Sequence, residues 1–287
     1  MTEGKPEWLR VRAPVGEGFG KVRELSRTCG LRTVCDDAQC PNISECWSRG
    51  HATFLIMGPS CTRSCRFCAI EHGGPSPLDP SEPERVGRAV RTLGLRHAVI
   101  TSVTRDDLPD HGAGHFARVV EEVRRQSPGA RVELLIPDME ASTDLLSVVV
   151  SSGPDIIGHN LETVRRLQPE VRDRRCSYER SLETLAKVKM LDPPMITKSS
   201  LMLGLGEAED EVLASLDDLR RSDVDAITMG QYLRPRGGPL EVSEYVLPGA
   251  FERLGAAARR KGFRSVASAP LVRSSFHAPE LFDRMEE

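Results

Sequence analysis

Two groups of three cysteines lie close together in the first quarter of this 287-residue chain. The later group is Cys61, Cys65 and Cys68, spaced Cys-x3-Cys-x2-Cys in "CTRSCRFC". The earlier group is Cys35, Cys40 and Cys46, spaced Cys-x4-Cys-x5-Cys in "CDDAQCPNISEC". Thiolates are soft ligands that bind zinc and iron–sulfur clusters. Such sites usually take four ligands from the protein, so a group of three cysteines needs an explanation.

Three kinds of site use clustered cysteines, and the spacing does not suit them equally. Structural zinc sites close a tetrahedron with four ligands, commonly from Cys-x2-Cys pairs, and the two groups contain one such pair. A disulfide framework is disfavoured by the odd counts and by the reducing setting that we expect. A four-iron cubane needs one external ligand for each iron, so three cysteines leave one iron open to a small molecule. The spacing favours iron–sulfur chemistry and leaves zinc as the alternative.

The bulk composition is that of an ordinary globular protein, with 39% hydrophobic and 28% charged residues and a net charge of −3. This balance gives no electrostatic reason to expect nucleic acid or an anionic membrane as a partner. The first ten residues contain no apolar segment typical of a signal peptide, and no run approaches 18 apolar residues. We therefore expect a cytoplasmic protein.

Strand and helix patterns alternate through most of the chain. The predicted strands are 53–58, 97–103, 131–137, 155–160, 195–204 and 225–230, with 262–268 as an extra edge strand. A capping box at Ser81 and Glu84 predicts the start of the first intervening helix, and Gly94 its end. This alternation predicts an α/β fold, a partial (β/α)6 TIM-like barrel over 51–262. Irregular extensions are expected at 1–50 and 263–287, and two α/β domains are the alternative architecture.

Polar side chains follow the predicted strands where a parallel barrel places its chemistry. Catalytic groups of such barrels lie at the carboxyl ends of the strands. We expect the following residues to converge there: the 61–68 cysteines, Thr101, Ser102, Asp138, His159, Asn160, Gln231 and Tyr232. Asn160 is also a favoured residue for capping a helix, and a cap is the alternative role for Asn160 and Glu162.

The later cysteine motif resembles that of the radical S-adenosylmethionine (SAM) superfamily, and the earlier motif resembles the auxiliary-cluster motif of lipoyl synthases. The remaining similar stretches are "TFLIMGPSCTRSCRFC", "VITSVTRDDLPDHGAGHF", "VELLIPD", "HNLETVRRL", "TKSSLMLGLGE", "GQYLRP" and "PLVRSSFHA". The resemblance covers residues 30 to 278 and implies a radical SAM barrel and a sulfur-inserting activity.

The resemblance implies a role for each cysteine group. Cys61, Cys65 and Cys68 would hold a [4Fe–4S] cluster whose open iron binds SAM, which is then cleaved to a 5′-deoxyadenosyl radical. Thr101, Ser102, Asn160 and Glu162 would contact the cofactor. Cys35, Cys40 and Cys46 would hold a second [4Fe–4S] cluster, which serves as the sulfur donor.

The resemblance also implies a fourth ligand for the second cluster, from a serine of the motif "RSSF" (273–276). By register this residue is Ser275, with Ser274 as the second choice. A serine oxygen is a harder ligand than a thiolate, which suits a bond that must break when the cluster is dismantled. The alternative is that both serines simply belong to a loop.

The implied reaction inserts sulfur at C6 and C8 of an octanoyl group on a lipoyl carrier domain, either a 2-oxoacid dehydrogenase E2 or a glycine cleavage H protein. A flavodoxin or ferredoxin-type donor would supply electrons, and an iron–sulfur carrier would rebuild the second cluster. Two alternatives stay open: a radical SAM sulfur inserter similar to biotin synthase, acting on a free small molecule, and a zinc-stabilised binding module without enzymatic activity.

Several residues stand outside these motifs or depart from the family pattern. Cys29 and Cys176 belong to neither cysteine group and are expected to be small buried apolar residues. Arg105, Asp106 and Asp107 are expected to form a structural ion-pair network, with an outward-facing loop as the alternative. The departures are Phe276 in place of tyrosine, and Ser200, Ala269 and His111 in place of glycines.

Overall fold

The computed structural model describes residues 5–11, 17–49 and 51–286. The strands are β1 Arg32–Thr33, β2 Thr53–Ile56, β3 Ser60–Cys61, β4 Glu71–His72, β5 His97–Ser102, β6 Arg131–Leu135, β7 Ile156–Gly158, β8 Ile196–Leu203, β9 Ala226–Gln231 and β10 Ser265–Ser268. The α-helices are α1 Glu17–Thr28, α2 Val34–Asp37, α3 Ile43–Ser48, α4 Glu82–Leu93, α5 Ala113–Gln126, α6 Thr143–Ser151, α7 Gln168–Val171, α8 Tyr178–Leu191, α9 Glu209–Arg221, α10 Pro248–Arg260 and α11 Ala278–Glu286. None of these helices is long and apolar enough to cross a membrane.

The central sheet runs in the order β1-β2-β5-β6-β7-β8-β9-β10. Every pair from β2 to β10 in that order is parallel, and β1 adds to β2 as an antiparallel edge strand. A long helix follows each of the six strands β2 and β5 to β9, which gives the predicted partial (β/α)6 barrel. The extra edge strand expected near 262–268 is β10. Within the described residues the sheet stays open between β1 and β10.

The helix faces expected from the apolar spacing are buried against the sheet. Val86 and Val90 of α4, together with Phe116 and Val120 of α5, are fully buried in one core cluster that also contains Ile100 of β5. Burying a side chain of this size contributes about 1.5–3 kcal/mol. This packing holds the strands in place, so the carboxyl ends of the strands form a fixed rim for the site.

The first barrel helix begins and ends as predicted, but its predicted capping box is wrong. Ser81 is the N-cap residue of α4, and its side chain makes no capping hydrogen bond. Its hydroxyl donates instead to Asp79 at 2.7 Å. Gly94 ends the helix in the left-handed conformation at φ 61°, where glycine is favoured because it has no Cβ.

The two extensions pack against each other and against the open side of the sheet. The first fifty residues include the twelve-residue helix α1, which the sequence pattern did not reveal, and α1 packs on α3 through Phe19 and Trp47. The Asn42 amide donates to the carbonyl of Leu271 at 2.6 Å, which joins the two extensions directly. The extensions therefore form one layer on the barrel.

The C-terminal extension passes unusually close to β9. A Cβ at Gly230 would lie 1.9 Å from the carbonyl oxygen of Val272, a distance that no side chain tolerates. The backbone N–H of the next residue, Gln231, donates to the carbonyl of Pro270 at 3.0 Å. Glycine at 230 is therefore what allows the extension to lie on the sheet.

We expect Gly230→Ala to lower the free energy of unfolding by about 1–3 kcal/mol, because the methyl group pushes the C-terminal extension off the strand. Gly249→Ala is the matched control, since nothing lies within 4 Å of a Cβ at that position on α10. Urea denaturation of both variants checks the prediction. Equal midpoints for the two variants would contradict it.

Candidate active site

A cavity of about 350 Å³ lies at the carboxyl ends of the barrel strands, and we call it the large cavity. The residues predicted from the sequence that line it are Cys61, Cys65, Cys68, Thr101, Ser102, Asp138, His159, Asn160, Glu162, Gln231 and Tyr232. They come from loops and strand ends spread over 170 residues of the chain. The barrel thus brings together the polar residues that were expected to converge.

Backbone N–H groups surround the three sulfurs of the large cavity. The Cys61 sulfur accepts from the N–H of Thr104 at 3.3 Å, and the Cys65 sulfur accepts from the N–H of Asp173 at 3.3 Å. Burial raises the pKa of Cys68 to about 11, although nearby backbone N–H groups oppose this shift. N–H donors to sulfur are typical around the thiolates of iron–sulfur clusters, so the donor set fits such a cluster.

Arg63, between the first two cysteines of the motif, anchors the cysteine loop. Its guanidinium is 4% exposed and contacts Asp106 at 2.8 Å and Asp138 at 2.9 Å. Burial disfavours the charged form of Asp138, but the hydrogen bonds and charge of Arg63 outweigh it and lower the pKa of Asp138 to about 2. We call these three residues the Arg63 clamp. The clamp ties the loop to the segments after β5 and β6.

A second anchor holds the same loop from the other side. The Asp173 carboxylate accepts from the N–H of Ser64 at 2.9 Å and pairs with Arg175 at 2.9 Å. These bonds and the Arg175 charge keep the pKa of Asp173 well below its usual range. Sequence reasoning missed Arg63, Asp173 and Arg175, because nothing in their spacing shows that they meet.

The four expected SAM-contact residues differ in how their side chains are engaged. The Thr101 hydroxyl donates to the carbonyl of Leu135 at 2.8 Å, whereas the buried Ser102 hydroxyl has no partner among the described residues. The Asn160 amide donates to Glu162 at 3.1 Å. The next helical turn has Val164 as its N-cap residue, so the alternative of a helix cap at Asn160 or Glu162 is wrong. Glu162 is left-handed at φ 70°, and its burial raises the pKa of its carboxyl. A half-buried carboxyl on a strained backbone in a cavity wall is typical of a binding site.

The two cysteines outside the motifs have different environments. Cys29 is 7% exposed in the apolar core, as predicted. The prediction for Cys176 is wrong, because Cys176 is only partly buried and lines the large cavity. Arg63 contacts its sulfur at 3.4 Å. The hydrogen bond with Cys65, together with nearby Arg172 and Arg63, lowers the pKa of the Cys176 thiol.

The earlier cysteine group lines a second, smaller cavity, which we call the small cavity. Its wall includes Cys35, Cys40, Cys46 and Ser275, together with His51, Thr53, His97, Arg273 and Phe276. The Ser275 hydroxyl accepts a hydrogen bond from Thr53 at 2.8 Å. Ser274 lines the large cavity instead. The fold therefore brings Ser275, and not Ser274, to the earlier cysteine group.

The thiols of the small cavity are buried close to one another. Burial raises the pKa of Cys46 to about 12, and the charges of Cys35 and Cys40 add to the effect. Three converging thiolates repel each other unless a cation lies among them, so this donor set suits a site that binds iron. Among the described residues no three His, Cys, Asp or Glu side chains are close enough to hold a single ion, whereas a cubane binds its ligands at separate corners.

Arg273 lines both cavities and lies in the wall between them. Its guanidinium donates to the carbonyl of Val272 at 2.7 Å and to the carbonyl of Gln231 at 3.1 Å. Burial lowers the pKa of Arg273, and the nearby Cys40 opposes the shift. Arg273 is thus a half-buried positive charge near the Cys40 thiol.

Comparison with known families and folds defines the class of this protein. A family model described as the radical SAM superfamily matches residues 55–219. The FeFe-hydrogenase maturase HydG from Carboxydothermus hydrogenoformans has a similar fold, with a TM-score of 0.60 and 11% identity over 93% of this chain and 60% of that one. Methylornithine synthase gives a TM-score of 0.58 and 16% identity over 72% of this chain and 62% of that one. The fold and the cysteine loop are those of a radical SAM enzyme.

Similarity to curated relatives shows to which family of radical SAM enzymes this chain belongs. A lipoyl synthase from Pyrobaculum calidifontis is 53% identical over 98% of this chain and 97% of its own length. Another, from Caldanaerobacter subterraneus subsp. tengcongensis, is 52% identical over 97% of each chain. This chain belongs to the lipoyl synthase family. The resemblance inferred from the motifs is confirmed, and the two alternative functions are not supported.

Family membership implies SAM and a [4Fe–4S] cluster, and the large cavity is the site to test for them. The residues present fit both groups. Three sulfurs with N–H donors can hold a cluster, and the unpartnered Ser102 hydroxyl is available to a polar cofactor. The carboxyl of Glu162 lies in the same wall.

We expect Arg63→Met to lower the free energy of unfolding by about 3–5 kcal/mol, because two carboxylates of the Arg63 clamp lose their buried partner. The matched control is Arg253→Met. Arg253 pairs with Glu209 at 3.0 Å, but the two side chains are 63% and 50% exposed, so the loss should be below about 1 kcal/mol. Chemical denaturation of both variants distinguishes these outcomes, and a small loss for Arg63→Met would contradict the clamp.

Proposed function

We propose that this enzyme inserts two sulfur atoms, at C6 and C8, into an octanoyl group held on a lipoyl carrier domain. The proposal includes a second [4Fe–4S] cluster in the small cavity, which serves as the sulfur donor. One observation carries it: Ser275 joins Cys35, Cys40 and Cys46 in one cavity, separate from the cavity of the later cysteine group. Two separate donor sets support two clusters with different tasks.

In the large cavity, Cys61, Cys65 and Cys68 would hold the first cluster. When bound there, the cluster and SAM supply a radical that removes hydrogen from an unactivated carbon. The chain's own contribution is rigidity, since the Arg63 clamp and Asp173 fix the cysteine loop from two sides. Ser102 and Asn160 would orient the cofactor from the cavity wall.

In the small cavity, the cysteines and Ser275 would supply one ligand for each iron. The hydroxyl of Thr53 donates to Ser275 and can therefore stabilise a serine oxygen that carries negative charge. The bond from iron to a serine oxygen would break more easily than the three bonds to thiolates. Such a ligand set suits a cluster that gives up its sulfur.

The substrate would reach the large cavity as an acyl chain on a carrier protein. The cavity wall offers apolar side chains to such a chain, including Phe67, Val103, Ile136 and Met202. A flavodoxin or ferredoxin-type protein would supply electrons, and an iron–sulfur carrier would restore the second cluster. We place the reaction in the cytoplasm, because clustered reduced cysteines need a reducing compartment.

The proposal predicts that replacing a cysteine of one group abolishes a different activity from replacing a cysteine of the other group. Anaerobically prepared protein should contain about eight irons, four for each cluster. Cys61→Ala should abolish SAM cleavage, since the radical needs the first cluster. Cys40→Ala should cleave SAM but add no sulfur to an octanoylated carrier peptide. Iron analysis, chromatography of the SAM products and mass spectrometry of the peptide measure these results.

Cys29→Ala is the matched control, because it removes a cysteine that lies in the apolar core and lines neither cavity. It should keep eight irons and both activities. Sulfur insertion by Cys40→Ala would contradict the assignment of the small cavity as sulfur donor. A full iron content in the triple variant of Cys35, Cys40 and Cys46 would contradict the second cluster itself.

A further inference from the structure

An imidazole in the wall of the small cavity has no role in the reaction described so far. His97 begins β5 and lines the small cavity, and its side chain is 1% exposed. Its Nδ1 is buried without a hydrogen-bond partner among the described residues. A buried polar atom without a partner costs about 1–3 kcal/mol, so a ligand for Nδ1 would offset this cost.

The other ring nitrogen of His97 contacts a buried carboxylate that is paired with a lysine. The Nε2 atom of His97 contacts the Glu133 carboxylate at 2.9 Å, and Lys198 contacts the other oxygen of Glu133 at 2.7 Å. Burial disfavours the carboxylate, but Lys198 and His97 outweigh it and lower the pKa of Glu133 to about 2. Since an ionised carboxylate only accepts, Nε2 carries the hydrogen. Nδ1 is then the ring nitrogen left to present a lone pair to a metal ion.

This arrangement is the one that proteins use for histidine ligands of metals. A metal-bound histidine usually donates its second N–H to a carboxylate, which fixes the ring and makes the free nitrogen a better ligand. Histidine also replaces cysteine on one iron of some iron–sulfur clusters. The edge of the Phe282 ring packs on His97 with the centroids 6.2 Å apart, so apolar contact also holds the ring.

We propose that Nδ1 of His97 is an iron ligand of the small cavity, which binds the fourth iron of the second cluster when Ser275 does not. The inference rests on the proposed function, because it assumes a cluster held by the three cysteines there. The exchange would be a ligand substitution: the lone pair of Nδ1 would form a bond to iron, the bond from iron to the Ser275 oxygen would break, and that oxygen would take up a proton from solvent water. No electron is transferred.

His51 is the natural comparison within the same cavity. It also lines the small cavity and has a buried Nδ1 without a partner. In the described residues, however, no hydrogen bond joins the His51 ring to a carboxylate. Of the two histidines, only His97 contacts a carboxylate, Glu133, which is itself paired with Lys198. His97 is therefore the better placed ligand.

The test uses the full chain with Cys61, Cys65 and Cys68 all changed to alanine, so that iron can enter only the small cavity as a cluster. Ser275→Ala is added to this background, and the protein is reconstituted anaerobically with ferrous iron and sulfide. Iron content and pulsed EPR of the reduced cluster are then measured on protein labelled with ¹⁵N-histidine. We expect about four irons and a strong hyperfine coupling to histidine ¹⁵N.

Three further variants assign the coupling. His97→Phe keeps a ring of similar size and should abolish the coupling, lose about one iron and give the EPR signal of an oxidised three-iron cluster. His51→Phe should leave both coupling and iron content unchanged. Glu133→Gln should weaken iron binding about 10–100-fold, because the ring loses its carboxylate partner.

The outcomes separate the inference from the proposed function. A cluster without histidine coupling in the Ser275→Ala protein would overturn the role of His97 and leave the second cluster standing. This result needs no change at His97, so it does not depend on the folding of that variant. Coupling that persists in His97→Phe would also overturn the role. Protein that takes up no cluster, even with Ser275 present, would overturn both proposals.

Discussion

The contact between the two chain ends is the constraint on which both cavities depend. Asn42 and Thr53, near the earlier cysteines, hold the segment from Leu271 to Ser275 through two hydrogen bonds. Gly230 lets that segment lie on the sheet, because any side chain there would collide with it. Without this contact the small cavity would lose Ser275 and its wall would open, and the large cavity would lose the side formed by Val272, Arg273 and Ser274. Both cavities therefore need the two chain ends to pack against each other before their walls are complete.

The two cavities differ in how their charges are balanced, and this difference matches the tasks proposed for them. The cysteine loop of the large cavity is held by paired charges: Arg63 with Asp106 and Asp138, and Asp173 with Arg175. Such networks are stiff because each member satisfies the others. In the small cavity the three cysteines would repel each other as thiolates, and the nearby cation, Arg273 beside Cys40, is half-buried. The ion pairs of the large cavity suit a cluster that remains bound through the reaction. The small cavity lacks such a network around its cysteines, which suits a cluster that can be dismantled with little loss of folding stability.

The sequence predicted the elements well because their signals are local. Apolar runs and turn residues marked every barrel strand, and the cysteine spacing together with strand order predicted which side chains face the large cavity. Pairings between distant residues were not predictable. Arg63 meets Asp138 only because the parallel strands bring the segments after β2 and β6 to the same edge of the sheet, and Cys176 reaches the cavity on a loop without periodicity. The unpartnered nitrogen of His97 has no sequence signal, since a histidine at the start of a strand is usually ordinary core. The capping box predicted at Ser81 does not form, because the Ser81 hydroxyl hydrogen-bonds to Asp79 instead.

The distance along the chain between Cys35 and Ser275 has a consequence for folding. The two residues are 240 positions apart, and both line the small cavity. Contacts between residues so far apart are slow to form, because a long segment must be ordered before they can be made. The three cysteines of that cavity lie within twelve positions of one another and can approach sooner. Docking of the C-terminal segment on β9 is therefore the step that closes the small cavity around its cysteines.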